Sequence, residues 1–298
     1  MIRGAGSQRA ASGLGCRAAF LAGCVLALAL MSGVPAAAEP NERALWVLWN
    51  QHSANAPNYE ALLANCQAFT NQNHADAFVP VVQTLAAWDL LQLGRQTEAV
   101  AILARYLNKT GTPLDDGTSA LARSWMTRID RERVKAALQF YYRREVRYPR
   151  ALDELIAYKW MPKELAPPRE DRFGSEWRYA LVGFKSMSGL LDQKYEISAS
   201  KLGKGSDLTE ALAKPYGSML RIRPTRMLSN KSGSEIVEWM LMPPSADPAD
   251  PESAKLAGPT MALGMDSTAE GLSIAYIGRA IIIVYDNYHW KVFPRPAG

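Results

Sequence analysis

The chain of 298 residues contains three cysteines and three histidines, and that scarcity excludes much chemistry at the outset. Cys16 and Cys24 fall in the first 38 residues, so everything downstream relies on Cys66 alone. No intramolecular disulfide and no thiolate metal cluster can form there. His52, His74 and His289 lie far apart, none with a carboxylate or second histidine at ligand spacing, and read as surface or satisfied residues. G-x-S-x-G, H-E-x-x-H and P-loop motifs are missing. A one-signed charge run is missing too. The balance of 34 Lys+Arg against 29 Asp+Glu gives +5, but Arg3, Arg9 and Arg17 precede residue 39 without an acid, leaving +2 for the rest. Basic and acidic residues alternate rather than gather in a stripe, which excludes a nucleic-acid surface. What is present, 48% hydrophobic and 21% charged residues, is the composition of a globular protein and excludes a wholly disordered or fibrous chain.

The first 38 residues have the form of an export signal: a basic stretch to Arg17, an apolar core from Ala18 to Met31, then Pro35-Ala-Ala-Ala38. Ala36 and Ala38 supply the small residues a signal peptidase requires, predicting cleavage before Glu39 and a periplasmic or extracellular protein. Two alternatives keep the chain on a membrane. The 17 residues Ala18–Val34 reach the lower length for spanning a bilayer, and Leu21-Ala-Gly-Cys24 matches a lipidation motif, although Val25–Met31 continue the apolar core past it. No span is expected in the mature chain.

From Glu42 to Asn108 the apolar period is helical, with helices predicted over Arg43–His52, Asn58–Asn71, Ala75–Leu93 and Thr97–Leu107. Cys66 falls on the apolar side of the second, where it reads as a small buried residue. The run Trp88-Asp-Leu-Leu-Gln-Leu-Gly94-Arg-Gln-Thr-Glu-Ala99 has a glycine ending one helix and a small alanine five residues on. It resembles the turn region of one tetratricopeptide repeat, and no second copy follows at that period. The resemblance implies a helical hairpin.

Gly111-Thr-Pro-Leu-Asp-Asp-Gly117 reads as a break, followed by a long helix over Thr118–Arg144. Its charged middle, Arg128–Lys135, reads as a solvated face with Arg128 and Glu132 paired at i,i+4. Pro149 ends the helix and forces Tyr148 into extended conformation. A short helix over Arg150–Tyr158 should turn Leu152, Leu155 and Ile156 inward. Asp171-Arg-Phe-Gly174 is a turn, with an Asx bond from Asp171 and a positive φ at Gly174. Trp177–Val182 and Lys194–Ser198 alternate as antiparallel strands, Trp177 and Tyr179 facing the long helix.

In order, these pieces are Ala137-Leu-Gln-Phe-Tyr141, Tyr148-Pro149, Leu152-Asp-Glu-Leu155, Trp160-Met-Pro162, Asp171-Arg-Phe-Gly174, Trp177-Arg-Tyr179 and Tyr195-Glu-Ile-Ser198. They resemble the globular domain of the type II secretion major pseudopilin family over about residues 134–205. The resemblance implies a helix packed on a small sheet. It does not extend to the family's N-terminal assembly helix, since a helical segment stands between the leader and the matching part. Nor does it extend to the family's calcium loop: Lys201-Leu-Gly-Lys-Gly-Ser-Asp207 offers one carboxylate, where calcium wants six to eight oxygens.

The last third reads as strands over Ser218–Arg223 and Glu235–Met242, a stiff Pro243–Pro251 linker, and a meander over Gly271–Ile277, Ala280–Tyr285 and Tyr288–Phe293. Ala280–Val284 is apolar on both faces and should be central and covered. Ser198-Ala-Ser-Lys201 matches the S-x-x-K of penicillin-binding enzymes, and Lys109-Thr-Gly111 their K-T-G, but in reversed order and with the serine ending a strand. The adjacent acids Asp115-Asp116 and Asp153-Glu154 show no glycosidase arrangement.

The expectation is an α+β protein: signal 1–38, helical domain 39–115, pseudopilin-like domain 116–205 and β-rich region 206–298. Neither cofactor nor metal is expected. The functional expectation is an exported, non-enzymatic scaffold or adaptor of the bacterial cell envelope with an unidentified envelope protein as partner. The alternative is an extracytoplasmic hydrolase whose acids converge only in three dimensions.

Overall fold

The computed structural model describes residues 40–54, 57–185, 191–214, 216, 222–242, 259–265, 268–269 and 272–296. The export signal with Ala36 and Ala38, and the Pro243–Pro251 linker, lie outside the described residues. The architecture is α+β: a helical layer, a four-stranded antiparallel meander and a three-stranded antiparallel sheet, with a separate β-hairpin on the far half of one long helix. Among the described residues no helix is long and apolar enough to cross a membrane.

Four helices come first among the described residues, α1 (Pro40–His52), α2 (Tyr59–Gln72), α3 (Val79–Gln92) and α4 (Gln96–Leu103). The Asn58 side chain caps α2 by accepting from the Ala61 amide at 3.2 Å, satisfying a donor the helix itself leaves free. Helix α3 is buried nearly all round, as its continuous run of apolar residues requires. Gly94, at φ 74°, ends it in the left-handed conformation that a side chain penalises, and Ala99 packs fully buried on α4.

The long helix α5 (Pro113–Glu145) starts earlier than the sequence suggested. Thr112 accepts from the Asp115 amide at 3.1 Å and Pro113 occupies the first turn, where its missing N–H is harmless. Gly117 is therefore not in a break but inside the helix. A Cβ there would stand 2.8 Å from both the Trp290 and Tyr285 rings, so the glycine is what lets the sheet approach. At 33 residues, α5 is about 50 Å long and serves two cores. Leu121, Trp125 and Ile129 join the first, with α1–α4 and the meander. Val134, Ala137, Leu138 and Tyr141 join the second, with Leu155, Trp177 and Ile197.

The charged middle of α5 corrects the solvated-face reading. Arg128 and Asp130 are buried, and Arg128 does not pair with Glu132. Its Nε and Nη1 donate to the Gly205 and Asn287 carbonyls, both at 2.9 Å, with the guanidinium between the Trp125 and Tyr288 rings. Asp130 instead pairs with Arg172. Alternating charge marks a solvated face only when one side of a helix is covered, and here α5 is covered on several sides.

Beyond α5, helix α6 (Leu152–Ile156) is shorter than predicted but buries Leu155 as expected. Strands β1 (Arg178–Lys185) and β2 (Leu191–Ser198) pair antiparallel, with Tyr179 opposite Ile197 and Leu181 opposite Tyr195. Asp207 then caps α7 (Leu208–Leu212). Strands β3 (Ile222–Ser229), β4 (Glu235–Leu241) and β5 (Thr260–Gly264) form one sheet. Strands β6 (Thr268–Ala269), β7 (Leu272–Ile277), β8 (Ile281–Tyr285) and β9 (Trp290–Pro294) form the meander. The predicted strand over Ser218–Arg223 falls mostly outside the described residues, and β5 was not anticipated. The central strand β8 explains its own sequence. Ile281 and Ile283 face the helical layer, while Ile282 and Val284 meet Val237, Trp239 and Leu263 of the other sheet. The first core thus draws residues from each of the three mature segments drawn from the sequence.

Candidate functional site

Two places in this fold concentrate side chains able to act. The first is the distal end of α5. Tyr141 is buried there while its neighbour Tyr142 is exposed, and the helix stops at Val146, whose φ of 53° is left-handed. That conformation is costly for a β-branched residue, and Val146 is nonetheless 79% exposed. Trp160 is 67% exposed, with Arg144 within 5.7 Å of its ring. Tyr142 stacks on Tyr148 at 4.6 Å, and Tyr148 meets the edge of Tyr195 at 4.8 Å. Arg143, Arg144, Arg147, Arg150 and Lys159 are exposed in the same stretch, against exposed Glu145 and Asp153 and a Glu154 that pairs with Arg147, leaving a small excess of positive charge.

The residues singled out in the sequence support this face from beneath. The Tyr179 hydroxyl donates to the Pro149 carbonyl at 2.7 Å. Trp177 Nε1 donates to the Pro168 carbonyl at 3.1 Å, and its ring lies in the second core. Asp171 Oδ1 accepts from the Phe173 amide at 2.8 Å and the Ser175 amide at 3.1 Å, while Gly174 holds φ 74°. Tyr148, Pro149, Asp171, Gly174, Trp177 and Tyr179 thus belong to one structural unit. Sequence reasoning missed Val146 and took Trp160 only as one piece of the resemblance, because composition does not say which aromatic stays outside.

Glu154 locks the same corner. It accepts from the Tyr141 hydroxyl, from Arg147 and from the Arg150 amide. Arg147 first, then those hydrogen bonds, hold its carboxyl down to about 2, while burial and Glu154 push the Tyr141 phenol up to about 12. A depressed carboxyl stabilises the fold above its ordinary value of 4.5 and loses that contribution as pH falls toward about 2. Glu154→Gln should therefore melt lower than the native chain at pH 7, and the difference should shrink across that acid window. A difference that stays constant with pH would show that the ion pair contributes nothing.

Beside this face a groove of about 1130 Å³ is lined by Arg131, Lys135, Tyr179, Tyr195, Glu196 and Asp207. Asp207 is the carboxylate at the position of the resembled family's calcium loop. Burial would raise it, but the Glu210 amide and Arg131, 2.7 Å away, outweigh that and lower it. It is committed to a helix cap and an ion pair.

The second place is interior. His52 of α1, Cys66 of α2 and Asp89 of α3 meet among fully packed side chains. This corrects the reading of His52 as having no carboxylate partner: its Nε2 is 3.0 Å from Asp89 Oδ2, and its Nδ1 is 2.7 Å from the Leu48 carbonyl. Cys66 Sγ is 4.0 Å from His52 Nε2 and 4.0 Å from Asp89 Oδ2. These groups do not make a catalytic triad. There the base uses one ring nitrogen for the nucleophile and the other for the acid; here thiol and carboxylate share Nε2. Burial also pushes the Cys66 thiol well up, away from the reactive thiolate. His289 is held differently, its ring packed on Trp88 and Tyr216, and burial keeps it neutral.

The acid pairs noted in the sequence are also accounted for. Asp115 pairs with Lys109, and Glu154 is bound as above. The carboxyls that burial raises, Asp89 and Asp286, lie in the interior rather than in the groove. The chain matches no protein-family model, no curated protein and no solved structure.

Proposed function

We propose that this protein is an exported, non-enzymatic scaffold or adaptor of the bacterial cell envelope, linked to a secretion or pilus-like system through its pseudopilin-like segment. The observation that carries the reading is the exposed face at the end of α5, where Trp160, Tyr142 and Val146 stand outside among arginines on a buttressed frame. Exposed aromatics and arginine are the residue types that dominate protein interfaces. Its excess of positive charge favours a partner presenting acidic side chains around an apolar pocket. The tetratricopeptide-like hairpin plays a different part, since Trp88, Leu85 and Ala99 are spent in the first core.

The test uses the chain recovered from the envelope fraction and beginning at Glu39 by intact mass. Binding of envelope proteins to the immobilised chain is compared with Trp160→Asp, whose melting temperature should match the native one because the side chain is exposed. If Trp160 anchors the interface, the variant should lose affinity roughly 30-fold, the effect of a hot-spot residue. Equal retention by both chains would remove this face from the interaction, and a membrane-bound chain still carrying residues 1–38 would replace the cleaved signal with the uncleaved anchor.

A further inference from the structure

The interior cluster of His52, Cys66 and Asp89 brings an imidazole, a thiol and a carboxylate together and leaves one carboxylate oxygen without a partner among the described residues. The three residues come from three different helices and are 2%, 0% and 0% exposed. Their donor atoms form a compact triangle with edges of 3.0, 4.0 and 4.0 Å. Asp89 Oδ1 is buried and has no hydrogen-bond partner among the described residues. We propose that this triangle is a metal site for one divalent ion of borderline softness, zinc in the first instance, with Cys66 Sγ, His52 Nε2 and Asp89 as ligands.

The dimensions support it. An ion placed about 2.0 Å from both His52 Nε2 and Asp89 Oδ2, in the plane of the triangle, falls about 2.4 Å from Cys66 Sγ. Those are bond lengths zinc adopts with nitrogen, oxygen and sulfur, so the ligands need not move by more than about 0.1 Å. The orphaned Asp89 Oδ1 supplies a fourth donor when the carboxylate chelates. The far side of the imidazole is also arranged as metal sites require: Nδ1–H donates to the Leu48 carbonyl, fixing the tautomer that leaves the Nε2 lone pair for the ion. A thiolate, an imidazole and a single carboxylate do not suit calcium or magnesium, which want oxygen ligands. Charge closes as well. One thiolate and one carboxylate neutralise a divalent cation, so a neutral unit is buried, and the two protons released leave to solvent. Packed among the helices of the first core with no open position, such a site is structural rather than catalytic. Ligands 14 and 23 residues apart form no sequence motif, and the site departs from the expectation of no metal.

The mature chain, stripped with chelator and dialysed, is titrated with Co²⁺ as a spectroscopic stand-in for zinc. The expected result is one equivalent bound, with a thiolate-to-cobalt charge-transfer band and visible d–d bands of a four-coordinate ion. Cys66→Ala should abolish the charge-transfer band and His52→Gln should weaken binding by at least 10-fold. Zinc at a hundredfold excess over its dissociation constant should raise the native melting temperature by roughly 5–10 °C. If a variant fails to fold, the native chain decides alone: no charge-transfer band and no zinc-dependent shift would overturn the site. A band that survives Cys66→Ala would overturn it equally.

Discussion

Replacing Trp290 with alanine should lower the unfolding free energy by about 3–5 kcal/mol, the range for deleting a large aromatic from a packed core. Trp290 is fully buried where the meander meets the helices. Its indole Nε1 donates to Thr84 Oγ1 at 2.7 Å, its amide donates to the Tyr216 hydroxyl oxygen at 3.2 Å, and its ring packs on Tyr285 and over Gly117. Truncation removes the indole hydrogen bond as well as the packing. Gly117 cannot follow the receding ring, because it is fixed within α5, so the void stays open. In urea the midpoint should fall with the slope unchanged, as for a mutation that alters stability without altering the denatured state. Trp160→Ala is the control, and its midpoint should stay within about 0.5 kcal/mol of native because exposed substitutions rarely do more. Equal midpoints for the two variants would mean that the meander does not pack on the helical layer.

Arg128→Ala should cost about 3 kcal/mol through a different mechanism, the loss of two charge-assisted hydrogen bonds to backbone carbonyls. The guanidinium is enclosed, and burial lowers it to about 10, still high enough to keep its charge at neutral pH. Its removal takes the guanidinium donors from the Gly205 and Asn287 carbonyls and empties the slot between the Trp125 and Tyr288 rings. Arg128→Met should recover part of the loss by refilling the slot, without restoring those hydrogen bonds. Arg128→Lys should not restore the native midpoint, because a single ammonium cannot reproduce the planar fork that reaches both carbonyls. Thermal melts of the three variants separate packing from hydrogen bonding. If Arg128→Ala melts with exposed Arg143→Ala, the solvated reading of this segment is correct after all.

How far the fold was legible depended on how local the determining physics was. Gly94 and Asn58 marked helix ends because capping is decided within a turn. The Asp171–Gly174 turn was visible because one side chain and one positive φ define it. Strand β8 announced its place by being apolar on both faces. Arg128 and Asp130 were misread because a charge pattern reports polarity and not how many neighbours surround a helix. Gly117 looked like a loop residue for the same reason, since the ring above it arrives from residue 290. The His52–Asp89 contact joins residues 37 apart, and the packing of three helices, not their spacing, creates it. The exposed face was half legible. Its frame was read residue by residue, but Val146 and Trp160 depend on where the second core stops.

One contact in the first core bears on the order of events when the chain is made. The Glu42 carboxylate, near the start of α1, accepts from the Ala280 amide at 3.3 Å, joining positions 238 apart. Leu85, Trp88 and Trp125 are likewise covered by Ile281, Ile283 and Trp290. Synthesis delivers the helices first, and they can coil locally, but their apolar faces stay uncovered until the meander has emerged. Contacts of such long sequence separation make folding slow, since loop-closure entropy must be met before the contacts form. Until the meander joins them, those apolar faces are what a chaperone has reason to bind.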